Sequence, residues 1–259
     1  MKKLLASAAI AAALFSPMSA SAEAMPTIVP GLDWNTSINH FQIDSDKFIG
    51  QRLTVECPRR TVRDVDEVVH GSGIYSSDAP ICVAAVHAGA LTPDGGVVTL
   101  QVNPGADHYD GTLQNGVASN DRPATERSIV FINGDNPEAD AIRSDYMPQL
   151  KWDTKFTATG LANHDLVGQR FAFNCPEAPA GIRHRKVTGT DRYAFASRVC
   201  TAAVHAGAIT PEGGPVLVQM DPGVAKLVGS MRNGIETDNG PGGTRTLIFV
   251  DTSTQAAEL

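Results

Sequence analysis

The sequence predicts a duplicated α+β protein, in which each domain holds a short buried helix at its centre, wrapped by antiparallel β-strands. Three observations lead to this prediction: an internal repeat with a single offset, a helix-sized segment that is apolar on every side, and short β-rich runs separated by turn residues. The apolar fraction of 42% suits packed cores rather than a disordered chain.

The repeat has an offset of 118 residues and needs no gap over a long stretch. The segment ICVAAVHAGA at 81–90 returns as VCTAAVHAGA at 199–208, and 16 of the 25 residues from 81 to 105 are identical to their counterparts. Solenoid units are much shorter than this, so each copy is expected to be a complete domain.

The extent of the repeat sets the predicted domain boundaries. We place the first domain at residues 33–134, a polar, proline-containing linker at 135–150, and the second domain at 151–251. The offset also pairs residues outside the helix motif, namely Gln51 with Gln169, Arg52 with Arg170, Tyr75 with Tyr193, Asn115 with Asn233, and Arg127 with Arg245. We interpret the recurring arginines, asparagines and tyrosines as folding requirements, with shared binding as the alternative.

A short helix is predicted over residues 81–88 and over the equivalent stretch of the second copy. Its apolar residues surround the whole axis, a pattern typical of a helix that is buried all round. Asp78 in the first copy and Ser197 in the second can cap its N-terminus. Gly89 and Gly207 stand where a left-handed residue ends a helix.

His87 and His205 lie in the last turn of this helix. There a ring can bond the terminal carbonyls, and a positive charge suits the helix dipole, so we predict a structural role for both. A catalytic role would need a nucleophile or a carboxylate within hydrogen-bond reach. The sequence offers only Asp94 and Glu212, which belong to predicted surface turns.

Three β-rich runs surround the helix in the first copy, and turn signals separate them. The predicted strands are residues 52–55, 97–102 and 128–132. The turns are the segments TPDGG at 92–96, NPG at 103–105 and NG at 115–116.

The four cysteines are expected to form two disulfides. They occupy matched positions, Cys57 with Cys82 and Cys175 with Cys200. Four cysteines allow three connectivities, and the duplication favours one bridge within each copy. No zinc-finger spacing is present, so we expect no metal site and no cofactor.

The N-terminus predicts a signal peptide over residues 1–22. Lys2 and Lys3 precede an apolar run at 4–15, and Ala20-Ser21-Ala22 supplies a cleavage pattern. The leader is typical of bacteria and indicates a periplasmic or extracellular destination. No later segment reaches the length of a membrane-spanning helix, so we expect a soluble mature protein without a transmembrane segment.

The motif C-x-A-A-V-H-A-G-x-[LI]-T-P-[DE]-G-G, followed by a strand, a P-G turn and N-G-[VI], resembles the LCCL domain. The resemblance covers residues 50–131 and 168–249. It implies an extracellular non-enzymatic module with a central helix between twisted strands, and binding to lipopolysaccharide or other surface glycans has been proposed for some members.

Two departures from the family pattern matter here. Many animal members carry four cysteines per domain, whereas each copy here carries two, so the resemblance carries over only the bridge that reaches the helix cysteine. The family's Tyr-x-Gly motif is kept as Tyr109-Asp110-Gly111 but replaced by Leu227-Val228-Gly229. Tyr109 is therefore a candidate ligand contact in the first domain alone.

Charge distinguishes the two copies. The first holds seven basic and thirteen acidic residues, a net charge of −6, and the second holds eleven basic and nine acidic, a net charge of +2. The basic excess centres on Arg183, Arg185 and Lys186, with Arg192 and Arg198 nearby in sequence. This segment is either a solvated loop or an anion site for a phosphorylated glycolipid or an acidic polymer.

These observations predict an exported, non-catalytic binding module, with a glycan, lipopolysaccharide or another cell-envelope component as its ligand. A structural or protein–protein interaction role in the envelope is the alternative. An exported hydrolase comes third, because none of the common catalytic motifs is present. A net charge of −9 after removal of the leader argues against nucleic acid as a partner.

Overall fold

The computed structural model describes residues 31–41, 46–60, 68–132, 146–161, 163–180 and 186–250. The predicted signal peptide, most of the predicted linker, and Arg183 and Arg185 lie outside these ranges.

Within the described residues, each copy contains one α-helix among short strands, and two 3₁₀ turns precede its first strand. In the first copy the turns are Ile38–Phe41 and Asp46–Phe48, followed by β1 Arg52–Cys57, β2 Val69–Ser72, β3 Ile74–Ser76, α1 Ile81–His87, β4 Gly96–Pro104, β5 His108–Tyr109, β6 Leu113–Gln114, β7 Val117–Asn120, β8 Arg122–Pro123 and β9 Arg127–Phe131. In the second copy the turns are Phe156–Thr159 and His164–Leu166, followed by β10 Arg170–Cys175, β11 Gly189–Thr190, β12 Arg192–Ala194, α2 Val199–Ala206, β13 Gly214–Pro222, β14 Lys226–Leu227, β15 Met231–Arg232, β16 Ile235–Glu236, β17 Gly240–Pro241 and β18 Arg245–Val250. The predicted α+β fold and its duplication are confirmed.

The main sheet of each domain has the same core order. The strands run β1-β4-β9-β3-β2-β7-β6 in the first domain and β10-β13-β18-β12-β11 in the second. The named strand ladders are antiparallel as predicted, with one exception: β2 and β7 pair in parallel, with Val69 opposite Ser119. β1 and β10 each lie at the edge of their sheet.

Side-chain alternation fixes which face of β1 meets the helix. Leu53, Val55 and Cys57 are buried, whereas Glu56, between two of them, is exposed. Successive strand side chains point to opposite faces, so the three buried residues share the face that packs on the core.

The helix lies at the centre of each domain, and all seven residues of α1 are buried. The predicted caps are wrong, since neither helix has a side-chain cap at its N-terminus. Backbone just before the first 3₁₀ turn supplies the partner instead: Ile81 N–H donates to the Thr36 carbonyl over 2.8 Å, and Val199 N–H donates to the Thr154 carbonyl over 3.0 Å. A buried helix end can be satisfied in this way by neighbouring backbone.

Two further predictions about the helix, its terminating glycine and its disulfide, agree with the structure. Gly89 and Gly207 follow the helices with φ of 73° and 80°, the left-handed conformation expected of a terminating residue. The structure joins Cys57 to Cys82 and Cys175 to Cys200, and each bridge ties the end of an edge strand to the buried helix. Two disulfides suit an oxidising compartment.

The two domains pack against each other. The ring of Phe48 lies 6.1 Å from the ring of Phe171, which lies 6.0 Å from that of Phe156, and these residues belong to one continuous apolar core. In the part of the chain that the structure describes, no helix is long and apolar enough to cross a bilayer.

Candidate functional site

The helix histidines are fully buried and hydrogen-bonded. His87 Nδ1 lies 2.8 Å from the Tyr75 hydroxyl, and its Nε2 lies 3.3 Å from the Thr112 carbonyl. His205 has the same arrangement with Tyr193 and with the Ser230 carbonyl. The predicted structural role fits this geometry, because a ring with no exposed surface offers a substrate no access.

The partners of these rings differ from the prediction. The terminal carbonyls of the helices are bonded by the side chains of Asn115, over 3.0 Å to the His87 carbonyl, and of Asn233, over 3.2 Å to the His205 carbonyl. The rings themselves bond residues outside the helices. The recurrence of the asparagines in both copies has a folding explanation in these contacts.

Burial controls the protonation of the network in the second domain. Desolvation raises the pKa of Tyr193 to about 12, and it lowers the pKa of His205. A neutral ring with its proton on Nε2 can donate to the Ser230 carbonyl and accept the hydroxyl proton of Tyr193 at Nδ1. The hydrogen bonds of Tyr193 and His205 can thus form without a charge on either side chain.

Acidification is expected to destabilise the second domain through His205. Because its folded pKa lies below the value near 6.5 of an unfolded chain, the unfolded state takes up the proton first as the pH falls. The stabilisation that comes from the neutral, buried His205 ring is therefore complete above about pH 6.5 and decreases below it. For one proton, the free energy of unfolding falls by no more than about 1.4 kcal/mol per pH unit. Urea unfolding at pH 7.5, 6 and 5 would measure it. H205Q should flatten the profile, whereas H108Q, at an exposed site, should not; equal profiles for the three proteins would contradict this assignment.

Tyr109 lies inside the first domain. Its side chain is only 2% exposed, and its hydroxyl lies 2.6 Å from Thr125 Oγ1 and accepts the Ala106 N–H over 3.1 Å. Leu227 occupies the equivalent place in the second domain and is buried too. The tyrosine-to-leucine difference between the copies is thus a difference between two buried residues. The Tyr109 ring exposes almost no surface to which a ligand could bind in this conformation.

The predicted basic residues are not brought together as one cluster. Arg192 forms an ion pair with Asp221, which is buried. Arg183 and Arg185 lie outside the described residues. Lys186 is exposed and lines a shallow depression of about 290 Å³ together with Lys155.

A second depression of about 400 Å³ adjoins the first, because Lys155 lines both. Its other basic residues are Lys47, from the first domain, and Lys151. We call the surface formed by Lys47, Lys151, Lys155 and Lys186 the lysine face. Asp153 and Asp238 lie in the same depressions and leave a net positive lining.

Most of the lysine face was missed by reasoning from the sequence. Its members are scattered along the chain, so they form no charge run. The repeat gives one indication of this face, because three of its lysines are specific to the second copy. Under the 118-residue offset, Lys151, Lys155 and Lys186 correspond to an aspartate, a serine and a valine of the first copy at positions 33, 37 and 68.

A third depression, of about 240 Å³, shares Ala194 and Ala196 with the one lined by Lys186. The guanidinium of Arg245 lies over the ring of Phe195, 4.4 Å from its centroid. An aromatic ring covered by a cation thus lies next to the lysine face.

One group of neighbouring side chains consists of residue types that can bind a metal ion. Atoms of His108, Asp110 and Asp121 lie within 4.8 Å of one another, and all three residues are exposed. The second copy has a lysine, a valine and an asparagine at these positions. Exposed groups of this kind are common without an ion, so the prediction of no metal site stays untested.

Comparison with known proteins gives the family. The model of the LCCL domain matches residues 32–129 and 150–244. Similar proteins include mouse vitrin, 32% identical over 34% of this chain and 13% of its own length, and the human cysteine-rich secretory protein LCCL domain-containing 2, 28% identical over 66% of this chain and 33% of its own length. The human cysteine-rich secretory protein LCCL domain-containing 1 is 25% identical over 75% of this chain and 37% of its own length.

This chain spans about a third of the length of the two cysteine-rich secretory proteins. None of the three relatives has the name of an enzyme, and all three are animal proteins. The match to the family model covers most of the chain and both copies of the repeat. The protein therefore belongs to the LCCL domain family, and this chain contains two copies of its domain.

Proposed function

We propose that this protein is an exported binding module whose lysine face recognises an anionic glycan, with lipopolysaccharide as the leading candidate. The observation that carries the proposal is the position of Lys155, which joins two depressions lined by three further lysines. Clustered ammonium groups attract phosphate and carboxylate groups and speed their association. Arg183 and Arg185, just before Lys186 in the sequence, would add guanidinium groups suited to phosphate.

Export is part of the proposal. The two disulfides suit a periplasmic or extracellular location, and two of the relatives are named as secretory proteins. The predicted signal peptide over residues 1–22, of bacterial type, would direct the chain there.

The test is a calorimetric titration of the oxidised mature protein with lipopolysaccharide at low and high salt. Binding should weaken as salt rises, because the contacts are between exposed charges. The variant K155Q/K186Q should lose at least about tenfold in affinity, which corresponds to about 1.4 kcal/mol. Neutralising Arg183, Arg185 and Lys186 together tests the predicted basic segment, which shares Lys186 with the lysine face.

Lys226 provides the matched control. It is exposed in the same domain but does not line either depression, so K226Q removes one positive charge from a surface outside the lysine face. Salt-insensitive binding, or an equal loss of affinity in K226Q, would show that the lysine face does not carry the interaction.

A protein partner is the second candidate function. Leu113 and Met231 occupy equivalent hairpins in the two copies, and their side chains are 75% and 62% exposed. Large apolar residues that are exposed at the same position in both domains favour a protein partner that contacts the two domains in the same way. If lipopolysaccharide gives no heat at either salt, a pull-down with L113S/M231S as the control becomes the decisive experiment.

A further inference from the structure

We infer that Gln51 and Gln169 lock the two domains into one rigid unit, and that this lock builds an anion site across the domain boundary. The second half of this inference rests on the proposed function, whereas the first half stands on the geometry of the junction alone.

The two glutamines make reciprocal contacts between the domains. Gln51 Nε2 donates to the Ala172 carbonyl over 2.7 Å, and Ala172 N–H donates to Gln51 Oε1 over 2.8 Å. In the opposite direction, Gln169 Nε2 donates to the Thr54 carbonyl over 2.8 Å, and Thr54 N–H donates to Gln169 Oε1 over 2.8 Å. Ala172 is the equivalent of Thr54 under the 118-residue offset, so the two halves of the contact match.

These contacts complete the edges of the two sheets. β1 and β10 are edge strands, and the outward N–H and C=O groups of an edge strand need partners when they are buried. A glutamine amide offers one donor and one acceptor side by side, which is the pair that a neighbouring strand would offer. Gln51 and Gln169 are buried, and the backbone groups of Thr54 and Ala172 take their hydrogen-bond partners at this junction from the other domain.

Further contacts hold the same orientation. The Phe48 ring packs near that of Phe171, and Asn163 Nδ2 donates to the Phe41 carbonyl over 3.1 Å. Apolar packing supplies attraction without direction, whereas the four amide contacts fix the register of β1 against β10.

The lock also positions a member of the lysine face. Gln51 Nε2 lies 3.2 Å from the carbonyl of Lys47, and Lys47 lines the 400 Å³ depression with Lys151 and Lys155. The first domain thus contributes one lysine and the second contributes two. A polyanion bound there would depend on the relative orientation of the domains.

Calorimetric unfolding and titration with lipopolysaccharide test the two halves separately. The wild-type protein should unfold in one transition, and Q51A/Q169A should split it into two, because buried backbone groups of both edges lose their partners. In the binding assay, Q51A/Q169A and K47Q should each lose at least about fivefold in affinity. K47Q leaves both glutamine side chains in place, so it tests the composite site even where the double variant folds poorly.

Gln219 supplies the matched control for the glutamines. It is buried in β13, and its side chain bonds Arg170 and Asp221 of its own domain. Q219A should keep one transition and an affinity within about twofold of the wild type.

Three outcomes would overturn all or part of the inference, each in a distinguishable way. Separate transitions in the wild-type protein would refute the lock, whatever the binding data show. Binding that depends on Lys155 and Lys186 but is unchanged in K47Q and Q51A/Q169A would restrict the site to the second domain. Absence of any binding by the wild type refutes the proposed function and the composite site together, while a single transition that splits in Q51A/Q169A would still support the lock.

Discussion

Replacing Cys57 and Cys82 by alanine is expected to lower the free energy of unfolding of the first domain by about 3.5 kcal/mol. The bridge closes a loop with a sequence separation of 25 residues, and opening it restores the corresponding freedom to the unfolded chain. A loss of this size is a large share of the roughly 5 to 15 kcal/mol that stabilises a typical domain. It ranks among the largest effects expected from any change in this molecule.

The position of the bridge makes compensation difficult. Cys82 is buried within α1, and Cys57 ends β1, the edge strand that also contacts the second domain. The substitution therefore loosens the helix from the strand in addition to lengthening the free loop. Because Cys175 and Cys200 enclose a loop of the same length, C175A/C200A should show a similar loss in the second domain.

Urea unfolding of the oxidised proteins measures this effect, with dithiothreitol as the chemical equivalent of the substitution. Reductant should lower the midpoint of the wild type, and it should have a smaller effect on C57A/C82A, in which one bridge remains. A C57A/C82A protein within about 1 kcal/mol of the wild type would show that the bridge adds little beyond the packing around it.

The larger elements of the fold can be predicted because their signals are periodic or repeated. The helix predicted over residues 81–88 corresponds to Ile81–His87, and the three predicted strands overlap β1, β4 and β9. The repeat carries these predictions to the second domain. Strands of two residues, such as β5 and β14, escape prediction because so short a segment has no period to detect.

The partners of polar residues are harder to predict. Asp78, the predicted cap of α1, instead accepts the Ser76 hydroxyl over 2.6 Å and pairs with Arg122 over 2.7 Å. The pairing of Gln51 with Gln169 is visible in the sequence, yet a contact between domains leaves the same repeated pattern as one within each domain. Only the three-dimensional arrangement separates the two explanations.

The candidate site depends on still longer-range information. Lys47 and Lys155 are far apart in sequence and come from different domains, and the packing of the domains places them in one depression. The local run of basic residues points to the second domain, which contributes most of the lysine face, but it identifies only Lys186 among the members. Charge runs mark solvated segments, whereas a site is defined by which charges the fold brings together.

Backbone packing at Gly105 leads to the second large effect. A Cβ atom at this position would lie 1.6 Å from the carbonyl oxygen of Thr125 and 2.5 Å from its carbonyl carbon. Both atoms belong to the backbone, so no rotamer change can relieve the overlap. The Gly105 N–H also donates to the Glu126 carbonyl over 3.0 Å, which holds the end of β4 against the segment that leads into β9.

We expect G105A to lower the free energy of unfolding of the first domain by more than about 4 kcal/mol, a size reserved for severe strain or packing defects. Gly223 is the equivalent residue of the second domain, where a Cβ would lie 1.6 Å from the carbonyl oxygen of Gly243, so G223A should be equally damaging. Gly31 is the control, because a Cβ there meets no atom within 4 Å, and G31A should stay within about 0.5 kcal/mol of the wild type. Chemical denaturation, monitored by circular dichroism, compares the stability of the three variants. If G105A unfolds at the same denaturant concentration as G31A, the β4–β9 ladder must be able to shift by more than an ångström, and the close backbone approach would not be what fixes its register.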